Sequence, residues 1–328
     1  MNIRILYTME KTQKIFIAGH NGMVGSAINR HLQEKGYTNI ITRDRKDLDL
    51  LDQKAVLNFF QEQRPEYVFD AAAKVGGIMA NSTYPADFIY QNLLIQTHLI
   101  HSSHEVGVKK LLFLGSSCIY PRECQQPMKE EYLLTGHLEP TNDAYAIAKI
   151  SGIIMCHSYY RQYGDNFFSI MPTNLYGQGD NFNLETSHVL PALIRKFYEA
   201  KINQKKIVTL WGTGIAKREF LHVDDMANAS VYIMQNINAQ TIYEQGITHL
   251  NVGTGKEISI RELADMIKEI IGFDGGIEYD TEKPDGMLKK CLDVNRLKQF
   301  GWSYQIPIKD GIRQAYNWYL TQHEKQRG

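Results

Sequence analysis

A chain of 328 residues is long for one hydrophobic core and short for three, which favours one large domain with a smaller lobe attached. Its 36 Lys and Arg balance 36 Asp and Glu, which excludes the broad positive field that draws nucleic acid or anionic lipid, and no apolar run approaches membrane-spanning length. Four cysteines, Cys118, Cys124, Cys156 and Cys291, show neither CxxC nor metal-ligand spacing, so we expect no disulfide framework, no metal site and a reducing compartment. Residues 1–11 carry only a short apolar stretch and no signal-peptide core, and read as a tail in a cytoplasmic protein.

Residues 14–18, an apolar run ending at glycines, and the helical periodicity of 24–35 read as strand, turn, helix. A short strand follows at 40–42, Asp52 is placed to cap a helix through Gln63, and 67–73 reads as a third strand. A helix over 92–106 then feeds the apolar strand 111–115. Such alternation predicts parallel βαβ units, hence an α/β fold with a doubly wound parallel (Rossmann) sheet. A long helix over 142–163, stopped at Gly164, precedes a buried strand at 167–171. Beyond Gly177 the alternation loosens into a helix over 189–201, a strand over 207–211 and a charged turn over 216–219. Ser259 and Glu262 then form a capping-box signature for a helix running to Ile271. The expected organisation is a nucleotide-binding domain over 12–177, to which 215–252 returns, with a smaller C-terminal α/β lobe made of 178–214 and 253–328.

Gly19-His20-Asn21-Gly22-Met23-Val24-Gly25 lies between the first strand and the first helix, where glycines let a pyrophosphate approach free backbone N–H groups at a helix N-terminus. After the second strand, an acidic residue suits the ribose of NAD and a cation suits the 2′-phosphate of NADP. Thr42-Arg43-Asp44-Arg45-Lys46 is mostly basic, which favours NADP(H). Tyr145 and Lys149 share one face of the long helix. The ammonium of Lys149 is expected to lower the pKa of the phenol, which then exchanges a proton with a carbonyl or alcohol while the dinucleotide exchanges hydride. Ser116 and Ser117 end the preceding strand, at the sheet edge where ligands of such folds bind. Cys118 beside them is either a thiolate base or a small buried hydrophobe, and His188, opening a helix, is either a surface cap or a proton donor.

Several longer stretches carry a resemblance. They are Ala-Ala-Ala-Lys-Val-Gly-Gly at 71–77, Leu-Gly-Ser-Ser-Cys-Ile-Tyr-Pro at 114–121, Tyr-Ala-Ile-Ala-Lys at 145–149, Met-Pro-Thr-Asn-Leu-Tyr-Gly at 171–177, Arg-Glu-Phe-Leu-His-Val-Asp-Asp at 218–225 and Lys-Pro-Asp-Gly at 283–286. With them, nearly everything after Lys14 resembles the GDP-L-fucose synthase family of extended short-chain dehydrogenases/reductases. The resemblance implies one site that epimerises GDP-4-keto-6-deoxy-D-mannose at C3 and C5 and then reduces C4 with NADPH. Cys118 would be the base and His188 the acid of the epimerisations, and Tyr145 would protonate the C4 oxygen with support from Lys149 and Ser116.

The resemblance further implies that NADP(H) lies against residues 19–25, Arg45, Asp49, Leu50, Leu114, Gly115, Ser116, Ser117, Lys149, Pro172, Thr173, Asn174, Leu175 and His188. The GDP-sugar would meet Lys196, Trp211, Arg218 and Asp285. It also implies a homodimer that pairs the long helix with the 92–106 helix, for which Ile150, Ile153 and Ile154 are suited, though they equally suit burial within one chain. Asn21 departs from the family, which often has a basic residue there, and leaves one 2′-phosphate contact unfilled. The rival readings are a nucleotide-sugar 4-epimerase or 4,6-dehydratase of the same architecture, and a non-catalytic dinucleotide-binding regulator. The regulator would not need Ser116, Cys118, Tyr145 and Lys149 together.

Overall fold

Short apolar strands separated by helices can bury both faces of each strand in a parallel sheet with helices on either side. The computed structural model describes residues 9–283, 285 and 287–325, and realises that solution. Its strands are β1 (Ile15–Ala18), β2 (Ile40–Ile41), β3 (Tyr67–Asp70), β4 (Lys110–Leu114), β5 (Phe167–Pro172), β6 (Asn174–Tyr176), β7 (Ile207–Trp211), β8 (Lys217–His222), β9 (His249–Val252), β10 (Glu257–Ser259), β11 (Gly276–Asp280) and β12 (Lys289–Lys290). The helices of the first half are α1 (Met23–Glu34), α2 (Gln53–Gln63), α3 (Ile78–Thr83), α4 (Pro85–Val106) and α5 (Asp143–Tyr163). Those of the second half are α6 (Val189–Ile202), α7 (Val223–Asn236), α8 (Ala239–Tyr243), α9 (Ile260–Ile271), α10 (Asn295–Gln299) and α11 (Ile308–Lys325).

Six strands form one all-parallel sheet in the order β2-β1-β3-β4-β5-β9. Side chains alternate strictly between its faces. Ile15, Ile17, Tyr67, Phe69, Leu112, Leu114, Phe168 and Ile170 join the core beneath α1 and α7, while Phe16, Val68, Leu111, Phe113, Phe167 and Met171 join the core beneath α2, α4 and α5. Each such side chain contributes about 1.5–3 kcal/mol by leaving water, so a one-residue slip in register would expose a whole row. The chain order reverses between β1 and β3, which opens the crevice at the carboxyl ends of those strands.

Local signals in the sequence account for several element ends. Asp52 accepts a 3.0 Å hydrogen bond from the Ala55 amide at the start of α2. Gly164 closes α5 with φ of 78°, and Ser259 and Glu262 form the reciprocal capping box of α9. Helix α4 differs from expectation, beginning at Pro85 rather than Asn92, because proline at the first turn lacks only an N–H that has no intrahelical partner there. The expected charged turn over 216–219 is instead part of β8, flanked by β10, β12 and β6. Its charged residues belong there because Glu219 points inward onto backbone N–H groups. The expected tail is anchored at its described end: Met9 is buried, Tyr37 donates to its carbonyl, and Lys11 lies 4.0 Å over the Tyr37 ring.

The second lobe has its own core, in which α6, α9 and α11 pack with residues of β7, β8 and β11. Among the described residues no helix is long and apolar enough to cross a membrane.

Candidate active site

The glycine loop forms the floor of a cavity of about 490 Å³ at the carboxyl ends of β1 and β3. Gly19 has φ of 79°, and a Cβ there would stand 2.7 Å from the Ala71 carbonyl oxygen, so the loop and the segment after β3 touch backbone to backbone. Gly22 caps α1, with Met23 and Val24 in its first turn, and Gly25 packs the helix against Gly19. His20, Asn21, Arg45, Asp49 and Leu50, all singled out from the sequence, line the cavity together with Arg43, Lys74 and Gln91. Asn21 is not idle there, since its amide donates to Asp44 at 2.7 Å.

Further along the same sheet edge, β4 ends at Leu114 and leads through Gly115 and Ser116 into a short 3-10 turn, Ser117–Ile119, that buries Cys118. A Cβ at Gly115 would meet the terminal methyl of Met171 at about 2.1 Å, so the Met171 side chain would have to move aside. The Lys149 ammonium donates to the Leu114 carbonyl at 2.8 Å and lies 4.7 Å over the Phe113 ring, which ties α5 to the end of β4. The Ser116 side chain stands near both the Tyr145 phenol and the Cys118 thiol and favours the ionised form of each, so one hydroxyl lies between the two groups. Tyr145, Lys149, Ser116 and Cys118 therefore converge.

Burial pushes the Tyr145 phenol far above its ordinary value, with a further push from Cys118, and the Ser116 hydroxyl pulls it back. The Lys149 ammonium donates to the Leu114 carbonyl and lies 5.9 Å from the Tyr145 ring centre. Burial likewise pulls Lys149 down, opposed by Asp70. Asp70, at the end of β3 on the Phe113 face, is fully buried; burial pushes its carboxyl up to about 6, and one of its oxygens has no hydrogen-bond partner.

Cys118 is held up by burial and pulled back by Lys290, Ser116 and Lys149. His188 stands at the N-cap of α6, pulled down by burial and by Lys290. His188 is solvent-exposed and Tyr145 and Lys290 are half-buried, yet all three carry strong desolvation. That combination describes the wall of an open cleft, with protein around the group and water at its mouth.

Lys290 was not apparent as a site residue, since two adjacent lysines read as a solvated edge. The register reveals it. Lys217 pairs with Lys289 and both bind Glu257, so alternation sends their neighbours Arg218 and Lys290 to the opposite face, toward Cys118 and His188.

The remaining residues are divided. Asp285 accepts from the Thr213 amide and hydroxyl at 2.7 and 2.8 Å and favours the charge of Arg218, which gathers Asp285 and Arg218 with the β7 end that carries the exposed Trp211. Two neighbours of Asp285 in the expected motif, Pro284 and Gly286, lie outside the described residues. Lys196 stands two turns along α6 from His188 and is pulled down by burial. Pro172 ends β5, Leu175 packs on the core, and the Thr173 and Asn174 side chains are spent on the Glu219 carbonyl. Ser117 is buried behind Ser116.

A doubly wound sheet carrying a Tyr-x-x-x-Lys pair beside a strand-end serine defines an enzyme of the short-chain dehydrogenase class. Residues 15–253 match the family described as the NAD dependent epimerase/dehydratase family. A putative GDP-L-fucose synthase 2 of Arabidopsis thaliana is 55% identical over 314 residues, 96% of this chain and 94% of its own. The GDP-L-fucose synthase of Escherichia coli is 52% identical over 318 residues, 96% of this chain and 99% of its own. Among solved structures, a GDP-D-glycero-L-gluco-heptose synthase from Campylobacter jejuni, determined in the presence of NADPH, superposes with a TM-score of 0.91 at 42% identity, covering 95% of this chain and 99% of that one. The chain belongs to the NAD dependent epimerase/dehydratase family and, within it, to the GDP-L-fucose synthases and their near relatives.

Proposed function

We propose that this enzyme converts GDP-4-keto-6-deoxy-D-mannose into GDP-L-fucose, inverting C3 and C5 and then reducing C4 at the expense of NADPH. The observation that carries the reading is the convergence of Ser116, Cys118, Tyr145 and Lys149 at the carboxyl end of β4, with Lys290 acting electrostatically on both Cys118 and His188. The close similarity to GDP-L-fucose synthases supports the substrate, and the NADPH-containing relative supports the cofactor.

The ketone at C4 makes the protons on C3 and C5 acidic. Cys118, as the thiolate favoured by Lys290, takes such a proton; the electron pair delocalises onto the C4 oxygen, where the Ser116 hydroxyl steadies it. His188, as imidazolium, returns a proton to the carbon from the opposite face, and transfer from thiol to imidazole resets the pair between the two inversions. When bound, NADPH supplies hydride to C4. Tyr145 gives its proton to the C4 oxygen as that oxygen becomes an alcohol, and Lys149 fixes the face of α5 on which the phenol stands.

The residues present fit the dinucleotide: residues 19–25 would offer backbone N–H groups to its pyrophosphate, Arg43, Arg45, Asp49 and Leu50 of the cavity would hold its adenosine end, and residues 114–117 and 172–175, outside that cavity, would hold its nicotinamide end. In this division of labour residues 12–177 with 215–252 hold NADP(H), and residues 178–214 with 253–328 hold the GDP-sugar through Lys196, Trp211, Arg218 and Asp285. Tyr90, Ile154 and Tyr163 are exposed on α4 and α5, which suits a homodimer through those helices, whereas Ile150 and Ile153 are spent inside the chain. A soluble, cytoplasmic dimer is the expected form, measurable as mass in solution by light scattering.

The test is NADPH consumption with GDP-4-keto-6-deoxy-D-mannose in deuterated water. Product labelled at C3 and C5 is expected; unlabelled product would remove the epimerase half of the proposal, and no turnover would remove the substrate. The heptose-forming relative motivates a second reading, and turnover of a GDP-4-keto-heptose in preference would establish it.

A further inference from the structure

Arg43 and Arg45 line the adenosine end of the cavity together with His20 and Asn21 of the glycine loop. Asp44, between the two arginines in sequence, does not line the cavity itself but is held against those two loop residues at its rim. The Asp44 carboxylate is half-exposed and fixed: the Asn21 amide donates to its Oδ1 at 2.7 Å, and His20 Nε2 lies 3.4 Å from the same oxygen. Both residues that hold it belong to the glycine loop. Arg43 is partly spent elsewhere, since it donates to the Thr42 carbonyl and lies 5.4 Å over the Phe59 ring.

A carboxylate and a guanidinium make opposite demands at this position. The 2′-hydroxyl of an unphosphorylated ribose is a donor, and a carboxylate accepts from it; a 2′-phosphate is a dianion that a carboxylate repels and an arginine binds. A site with arginines alone would select NADPH strongly. Here the loop residue that could have supplied another cation is an asparagine, and it anchors the carboxylate.

We propose that the Asn21–Asp44 pair makes this enzyme permissive toward its dinucleotide, accepting NADH as well as NADPH, with Asp44 setting the ratio. The inference rests on the NADP(H) reading but not on the identity of the sugar, and its test requires no sugar. Titration calorimetry with 2′,5′-ADP and 5′-ADP, each a fragment of one cofactor, reads the discrimination directly.

Asp44→Asn is expected to tighten 2′,5′-ADP about tenfold in low salt and to weaken 5′-ADP about threefold, with the first effect shrinking at high ionic strength. Asp44→Glu, which keeps the charge, is expected to retain the wild-type ratio. NADH should bind the wild type within about thirtyfold of NADPH, as read by the same calorimetry. If Asp44→Asn leaves the ratio of the two affinities unchanged, whether by moving both or neither, the pair merely shapes the loop and the proposal is overturned. A failure of the sugar assay with this ratio shift intact would instead count against the substrate alone.

Discussion

Tyr145 and Lys149 stand one turn apart on α5, a 21-residue helix whose packing beside β4 fixes both, whereas Cys118, His188 and Lys290 come from a 3-10 turn, a helix cap and a two-residue strand. The first group is positioned by one regular element and the sheet edge. The second depends on the docking of two lobes. In the proposed mechanism, proton delivery to an oxygen would rest on one long regular helix, and proton exchange at carbon on a junction. The two chemistries should therefore fail separately.

Tyr145→Phe is the sharpest way to break that contrast. NADPH oxidation should fall by about 10³, while solvent deuterium still enters the substrate at C3 and C5. Simultaneous loss of both would mean that the phenol serves both chemistries and that the division is wrong. Cys118→Ser should do the reverse, lowering deuterium exchange by at least about 10² with NADPH affinity within twofold of wild type, as read by fluorescence. Retained exchange would return this cysteine to packing.

Lys290→Gln gives a smaller, pH-dependent effect. With the Cys118 thiolate as the proposed base, exchange should rise with pH until Cys118 is ionised. Removing the cation moves that rise upward, with a loss of about tenfold near neutrality that recovers in alkaline buffer. A uniform loss at every pH would instead mark Lys290 as a binding group.

The smallest effect concerns stability. Asp70 has its carboxyl pushed up to about 6 when folded, above the ordinary carboxylate value of 3.8, chiefly by burial. A raised folded value means that its contribution is fully present below the unfolded pKa and is lost as pH rises through about 6. Asp70→Asn should therefore stabilise the fold most at pH 8 and hardly at pH 4, by on the order of 1–3 kcal/mol at the upper end, as read from melting curves at the two pH values. An equal change at both pH values would show that the Asp70–Lys149 region tolerates the charge.

What was legible in the sequence follows the same divide. Asp52, Gly164 and the Ser259–Glu262 pair act within one turn of themselves, so their helix ends could be read directly. The run from Lys217 to Glu219 was misread because charge density suggests a turn, and the reason Glu219 is buried lies at Thr254, Gly255 and Leu292, far along the chain. Lys290 and Asp70 were missed for a related cause. One is recruited by strand register and the other by its place under Phe113, and neither relation has a local signature.

The buried carboxylate of Glu219 has a mechanical consequence. Its two oxygens accept N–H bonds from Thr254 and Gly255, just beyond the last strand of the large sheet, and from Leu292, just beyond β12, while its own carbonyl takes the side chains of Thr173 and Asn174. This single residue rivets the large sheet to the small one. The seam cannot act as a hinge without stripping several hydrogen bonds from a desolvated charge. Segment 178–188, which ends at His188, has no such bond to Glu219, so any adjustment at the mouth of the cleft would meet less resistance there than at the seam.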